Sequence, residues 1–361
     1  MVAYIALVGI PIFFQLFLSK RIEEKHKRKR ISVTLVVFFL LLFILLSCRS
    51  VEVGVDLENY IPWFQRISQT PWKEIFNVVE GIEPGYIVLN KLISIFSDNP
   101  QFFLTVIAWI TVVPLAILYG KNSENELLTI ALFLILSNFS MLFSGLRQAI
   151  AISVGAVSYH FVKRRKIFLF LCSVIFAMLF HKSAFMLFLL YPVYHVRITK
   201  QWLWWIIPAF VGIFIFNKQI FSLLIGFLGE KYQEEYNVIE STGAYAMILL
   251  FVLFAIYSFL IPDTKKLDKE TIGLRNILLL SICIQLFASI NTVAMRMNYY
   301  FLTFLPLLIP KIGVRCKTTD MKIISLVNAI MIVFFIGYFL LNTFIGEDIL
   351  QIYPYIPFWK G

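Results

Sequence analysis

Long apolar stretches recur from one end of this sequence to the other, and they constrain the fold more than any other feature. The first is MVAYIALVGIPIFFQLFLS at residues 1–19, and the last ends near residue 345. A run of about 18 or more apolar residues can cross a bilayer as a helix. Of the 361 residues, 60% are hydrophobic, whereas soluble proteins average roughly 45–50%. We therefore predict an all-α polytopic integral membrane protein that forms a single transmembrane domain over residues 1–361.

The apolar stretches predict about twelve crossings. The predicted spans are 1–19, 31–48, 100–119, 127–143, 145–162, 167–181, 183–197, 201–216, 243–262, 274–290, 296–310 and 323–345. The segment EPGYIVLNKLISIFSD at 83–98 is apolar but short and interrupted by polar residues. We predict that it forms a re-entrant or interfacial helix on the outer side.

The distribution of charge fixes the predicted orientation. Cytoplasmic loops of membrane proteins are enriched in Lys and Arg. Residues 20–30 hold seven basic and two acidic residues, which predicts a cytoplasmic loop after the first span, not a signal-peptide cleavage site. Residues 49–83 hold three basic and six acidic residues. We therefore place both termini and the loops 49–99 and 217–242 outside, and we interpret the net charge of +11 as an orientation signal without nucleic-acid binding.

Five ionisable residues from distant parts of the chain are predicted to lie at the outer ends of spans. They are Arg49, Glu83, Arg147, His181 and Arg296. Ionisable groups at membrane depth are rare and are functional hypotheses by default. Their shared depth predicts one functional site on the outer face.

Arg147 is the central candidate of that site. It lies in FSGLRQAIAIS at 143–153, where small residues follow it and allow close helix packing. A helix start that carries an arginine suits an anion, because backbone N–H groups, the helix dipole and a guanidinium fork point the same way. A phosphate or pyrophosphate is the predicted ligand. The alternative is an arginine that only reaches to the interface.

Each of the other candidates can also be interpreted as a residue without a functional role. His181 could move a proton in a group-transfer reaction, or it could be an ordinary interfacial histidine. Arg49 is followed by a segment in which carboxylates and aromatic rings suit sugar binding, notably Asp56 and Tyr60. That segment could equally be a solvated loop. Arg296 with Tyr300 could bind substrate or belong to an aromatic belt.

Several site types are not indicated. The sequence has no HExxH, Walker, dinucleotide-binding or EF-hand pattern, and its four cysteines show no CxxC spacing. We expect no metal and no cofactor. An enzymatic activity would have to use a lipid-borne or external substrate.

Five short motifs then resemble one family in order and approximate spacing. The run Arg49, Gly54, Asp56, Tyr60 and Phe64 resembles the "R…G.D…Y…F" pattern of the EpsG-like branch of Wzy polysaccharide polymerases. EPGYIVLNKL resembles that family's "EPGF..L" segment, and GLRQAIA, HKSAF and RMNYYF follow in the family's order. The resemblance spans about residues 31–310.

The resemblance implies a fold related to the large helical membrane glycosyltransferases, the GT-C-like architecture. It also implies a bacterial enzyme of the cytoplasmic membrane that joins repeat units of capsule, exopolysaccharide or O-antigen at the outer face. The donor would be a growing glycan on undecaprenyl pyrophosphate, and the acceptor a repeat unit on the same lipid. A flippase and chain-length regulators are further expected partners, besides membrane lipid.

We therefore expect a metal-independent glycosyl transfer. Arg147 and Arg296 would stabilise charge on the leaving pyrophosphate, and Arg49 is a third candidate. His181 is the first candidate base, followed by Asp56 and Glu83. Tyr60 and Tyr300 would contribute to substrate binding. The rival hypotheses are a flippase for the same lipid-linked unit, a membrane acyltransferase acting through His181, and a structural partner of a polysaccharide complex.

Overall fold

The computed structural model describes residues 2–22, 32–136, 138–228, 243–262, 267–314, 321–346, 348 and 350–360. Within these ranges the chain is helical and has no β-strand; an isolated β-bridge joins Arg49 to Pro357. The chain forms two compact units. The first comprises Met1–Phe185 and Ser325–Gly361, and the second comprises Met186–Ile324.

The first unit contains both long apolar helices and shorter helices. They are α1 (Val2–Ile22), α2 (Val33–Cys48), α3 (Leu57–Gln69), a 3-10 turn (Ile75–Asn77), α4 (Pro84–Ser94), α5 (Pro100–Asn122), α6 (Glu126–Ile135), α7 (Asn138–Phe143), α8 (Leu146–Lys163) and α9 (Ile167–Met178). A 3-10 segment, Lys182–Leu189, leads out of this unit.

Three of these helices form the framework of the first unit: α5 packs against both α2 and α8. The predicted small-residue face of α8 is buried, including Ala149, Ala151 and Ser153. The hydroxyl of Ser153 donates a hydrogen bond to the carbonyl of Thr111 on α5, at 2.8 Å. Small side chains let the two backbones approach, and the serine adds an interhelical bond. The close packing fixes where α8 begins.

The second unit is built around one long buried helix, α14. Its helices are α10 (Leu190–His195), a 3-10 turn (Lys200–Trp202), α11 (Leu203–Ile215), α12 (Asn217–Leu228), α13 (Gly243–Leu260), α14 (Lys269–Ala288), α15 (Thr292–Leu302) and α16 (Leu305–Val314). The last helix of the chain, α17 (Met321–Ile345), starts here and ends in the first unit. Asn298 on α15 donates hydrogen bonds to Ser281 and Gln285 on α14, both at 3.0 Å.

The helices confirm a membrane protein. Three of the described helices are long and apolar enough to cross a bilayer, namely Pro100–Asn122, Lys269–Ala288 and Lys322–Ile345. Two bent pairs raise this number to five if each is one span. Five further described helices are also apolar but shorter. The all-helical class is therefore confirmed, while the count of about twelve crossings and the single transmembrane domain stay predictions.

Several predicted spans are not continuous α-helices. The predicted span 127–143 is divided between α6 and α7, and 183–197 begins as a 3-10 segment. The predicted span 296–310 is bent by 45° between Leu302 and Leu305. Hydropathy records apolar length but not the turns at which a helix breaks, because a break inside protein leaves the composition unchanged. The predicted helix within 83–98 is present as α4.

Some predicted loops fall partly outside the description. These portions are residues 23–31 and 315–320 of the predicted cytoplasmic loops, and residues 229–242 of the predicted outer loop 217–242. The described part of that outer loop is α12.

Candidate functional site

The N-terminus of α8 is the centre of the candidate site. Gly145 precedes the helix, and Arg147 is its second residue. The carbonyl of Gly145 accepts the first helical hydrogen bond, from Ala149, at 2.8 Å. The turn between α7 and α8 therefore decides where the Arg147 side chain starts.

Arg147 lies among three side chains from α3 and the start of α4. Its Nη1 donates to Oε2 of Glu83 at 2.5 Å, and its guanidinium carbon lies 5.6 Å from the centre of the Trp63 ring. Tyr60 also forms a hydrogen bond with Arg147. The phenol oxygen must be the acceptor in that bond, because a guanidinium has donors only. The Arg147 side chain is 20% exposed.

One donor of Arg147 is unused within the described residues. Its Nε–H group is buried and has no hydrogen-bond partner there. A buried donor without a partner is costly, so it is a natural contact for an acceptor on a ligand. The predicted anion site at this position therefore has a guanidinium whose buried Nε–H has no partner among the described residues.

Glu83 connects Arg147 to a third part of the chain. Oε1 of Glu83 accepts a hydrogen bond from the backbone N–H of Lys182 at 2.9 Å. The residue is 5% exposed. Both oxygens of this predicted substrate-binding residue thus contact protein groups.

His181 lies immediately before that contact and is half-buried. Its Nδ1 is 2.9 Å from the Ser183 hydroxyl and accepts the backbone N–H of Ser183 at 3.3 Å. A nitrogen that accepts an N–H carries no proton in the neutral ring, so that proton is on Nε2.

Asp56 and Tyr60 come from the start of α3. The backbone N–H of Asp56 donates to the Ser144 hydroxyl at 3.3 Å, which ties α3 to the turn before α8. The Asp56 side chain makes no capping hydrogen bond and is partly exposed. Burial raises the pKa of the Tyr60 hydroxyl, Arg147 opposes the rise, and Asp56 adds to it. Tyr60 is therefore a neutral group between a carboxylate and a guanidinium.

Arg49 is buried next to the turn between α7 and α8. It is 2% exposed, its Nη1 donates to the carbonyl of Phe143 at 2.5 Å, and its guanidinium lies 5.2 Å from the Phe143 ring centre. Gly54 has a φ of +113°, and its backbone passes close to the same carbonyl group. These contacts hold the turn that leads to Arg147.

The segment that follows Arg49 is held by the C-terminal residues, which sequence reasoning missed. The Ser50 N–H donates to Ile356 at 2.7 Å, and the Gly54 N–H donates to Gln351 at 2.8 Å. In the other direction, Phe358 donates to Cys48 at 2.9 Å. The only available signal was the aromatic and proline-rich run IYPYIPFW after the last apolar stretch.

Arg296 and Tyr300 belong to the second unit. Both lie on α15, where Arg296 is exposed and Tyr300 is 1% exposed. The structure thus brings Asp56, Tyr60, Glu83, Arg147 and the His181 turn together within the first unit. Trp63, which the sequence indicated only as one ring among several, joins them. In the described part of the chain, no group of three or more His, Cys, Asp or Glu side chains could hold a metal ion.

The fold and this cluster define the class of protein: a helical membrane protein with an arginine-centred polar site at the start of a buried helix. A comparison with known protein families gives a match over nearly the whole chain. The model of the EpsG family matches residues 5–356, and the chain belongs to this family of Wzy-like polysaccharide polymerases. No curated protein and no solved structure matches the sequence significantly. The predicted resemblance is confirmed over nearly the whole chain.

Proposed function

We propose that this protein is the repeat-unit polymerase of a bacterial surface polysaccharide. It transfers a growing glycan from undecaprenyl pyrophosphate to a lipid-linked repeat unit at the outer face of the cytoplasmic membrane. Family membership supports a polysaccharide polymerase. The observation that carries the reaction type is the unpartnered, buried Nε–H of Arg147 at the start of α8.

The proposed reaction requires stabilisation of a leaving pyrophosphate. The acceptor hydroxyl oxygen attacks the anomeric carbon of the donor glycan, and the bond from that carbon to the pyrophosphate oxygen breaks. The leaving group keeps the electron pair and gains negative charge. Fixed hydrogen-bond donors aimed at developing charge are an effective form of catalysis. Arg147 supplies one such donor, and the positive end of the α8 helix dipole adds to it.

In this proposal Asp56 takes up the proton of the acceptor, and His181 contributes a hydrogen bond to the leaving group. His181 donates a hydrogen bond from Nε2 to the departing oxygen, because its Nδ1 is engaged by Ser183. Asp56 accepts the proton from the acceptor hydroxyl, because its carboxylate makes no capping bond and is partly exposed. Tyr60 and Trp63 hold the Arg147 fork, and Arg49 supports the turn below. Arg296 and Tyr300 lie on α15 in the second unit, and their roles stay predictions from the sequence.

The base assignment predicts a specific loss. Asp56→Asn should lower kcat by about 100-fold or more, the usual contribution of a general base. Glu58→Gln is the matched control, because Glu58 is an exposed carboxylate on the same helix. Turnover of purified lipid-linked repeat unit measures both variants; a wild-type kcat in the asparagine variant would remove Asp56 from this role.

The outer-face placement predicts an accessibility pattern. Asp98 is exposed and lies just after α4. A single cysteine at Asp98→Cys should react with a membrane-impermeant thiol reagent added outside intact cells or spheroplasts. A cysteine at Arg164→Cys is the control: Arg164 is exposed in the basic run KRRK at 163–166, which the enrichment of cytoplasmic loops in Lys and Arg places inside, so it should react only after lysis. Labelling of position 98 from the cytoplasm alone would overturn the proposed topology.

Cells that lack the protein test the function directly. A polymerase deletion should leave single repeat units on lipid in the outer leaflet, and complementation should restore the ladder of chain lengths. A flippase deletion would trap the unit in the inner leaflet. An acyltransferase deletion would leave chains of normal length without acyl groups. Either of the last two outcomes contradicts the proposal.

A further inference from the structure

The carboxyl group of Glu83 joins three segments that are distant in sequence. Oε2 contacts Nη1 of Arg147, which is 64 residues away, at 2.5 Å. Oε1 accepts the backbone N–H of Lys182, which is 99 residues away, at 2.9 Å. A carboxylate is suited to such a bridge because each oxygen can accept a bond from a different donor.

The start of α4 releases the Glu83 side chain for this bridge. Glu83 is the residue before α4, yet its side chain makes no capping hydrogen bond. Pro84 follows as the first helical residue, where a missing N–H is not a loss. The side chain can therefore reach away from its own helix to the neighbouring turn.

A second contact fixes the same turn independently. The N–H of Gly85 donates to the carbonyl of Leu179 at 2.9 Å. A Cβ at position 85 would lie 2.7 Å from both Cβ and the carbonyl oxygen of Leu179. Only glycine permits this approach without a shift, so residues 83 and 85 together set the distance between α4 and the turn that carries His181.

We propose that Glu83 is a positioning residue, which holds Arg147 and the His181 turn in register, and not the base of the reaction. This inference rests on the proposed function. The carboxyl group is nearly buried and already accepts a bond at each oxygen, which suits orientation better than proton uptake from substrate. By engaging Nη1, Glu83 turns the guanidinium so that its Nε–H remains for the leaving group.

The decisive variants separate geometry from charge. Glutamine at position 83 can accept only one of the two bonds, because its NH2 group meets a donor at the other. We expect Glu83→Gln to lower kcat by about 100-fold, the scale expected for a misplaced catalytic group. The donor KM should change less than kcat, and the shape of the pH–rate profile should stay that of wild type. Glu80→Gln, an exposed carboxylate three residues earlier, is the control.

Gly85→Ala tests the same register without removing a charge. It should reproduce the fall in kcat and the unchanged pH profile. If Glu83→Gln fails to accumulate in the membrane, Gly85→Ala and the conservative Glu83→Asp test the positioning role of Glu83 instead. The same kcat, donor KM and pH–rate profile are measured. The combined variant Glu83→Gln with Arg147→Lys should lose less than the product of the two single losses, because both act through one contact.

Three results would overturn the inference. They are a wild-type kcat in Glu83→Gln, a changed shape of the pH–rate profile in that variant, and independent losses in the combined variant. Failure of the proposed function has a different signature, since wild-type protein would then make no polymer from lipid-linked repeat units under the same conditions.

Discussion

Arg147→Ala should collapse the polysaccharide ladder to a single lipid-linked repeat unit while the protein remains in the membrane. The substitution removes the buried Nε–H donor and the ion pair with Glu83 at the start of α8. Removing one donor that faces developing charge costs about 100- to 1,000-fold in kcat. At that rate chain extension would fall below detection in a cell. Gel analysis of the polysaccharide, with the protein quantified in the same membranes, measures the effect.

Arg147→Lys should be nearly as damaging as the alanine variant. An ammonium can still pair with Glu83, but it cannot also supply a planar fork beside Trp63 and a separate Nε–H. Arg66→Ala is the matched control, because Arg66 is an exposed arginine on the neighbouring helix α3. Wild-type chain lengths in the lysine variant would show that the planar guanidinium of Arg147 is not required. An unchanged ladder in the alanine variant would make Arg147 an interfacial anchor and move the search to Arg49 and Arg296.

Gly54→Ala should cause the largest loss of stability among the glycine variants of the first unit. Gly54 has a φ of +113°, where an L side chain is strained, and a Cβ would collide with the Phe143 carbonyl that Arg49 also contacts. Backbone strain and the collision together should cost about 3 kcal/mol or more. The turn before α8 would have to move, so activity should fall with stability.

Two other glycines separate the causes of that loss. Gly81 has a φ of +73° but open space around it, so Gly81→Ala should cost only backbone strain, about 1 kcal/mol. Gly120 lies within α5 with no atom in the way, so Gly120→Ala should be neutral or slightly stabilising. Thermal unfolding of purified protein in detergent would rank the three. Equal losses at positions 54 and 81 would show that the collision with Phe143 contributes nothing.

The helical class and the membrane setting followed from the sequence alone. The length of each apolar stretch can be counted directly in the sequence. Because a bilayer allows few backbone structures, the composition of α5 or α14 decides its conformation without neighbouring helices. The start of α8 was also predictable, since a glycine and an arginine followed by small residues mark a helix that packs closely. The family motifs could be recognised in the sequence because they are short and ordered.

The partners of those residues were decided only by the tertiary structure. Arg49 was predicted at a substrate surface, and it is buried against the Phe143 carbonyl. Glu83 was considered as a base, and its oxygens bridge Arg147 and Lys182. Nor did hydropathy indicate that residues 350–358 would pair with the segment after α2. The physical reason is the same in each case: apolar burial is a property of a segment, whereas a hydrogen bond needs two groups at one distance and angle, and that geometry exists only once distant parts of the chain have packed.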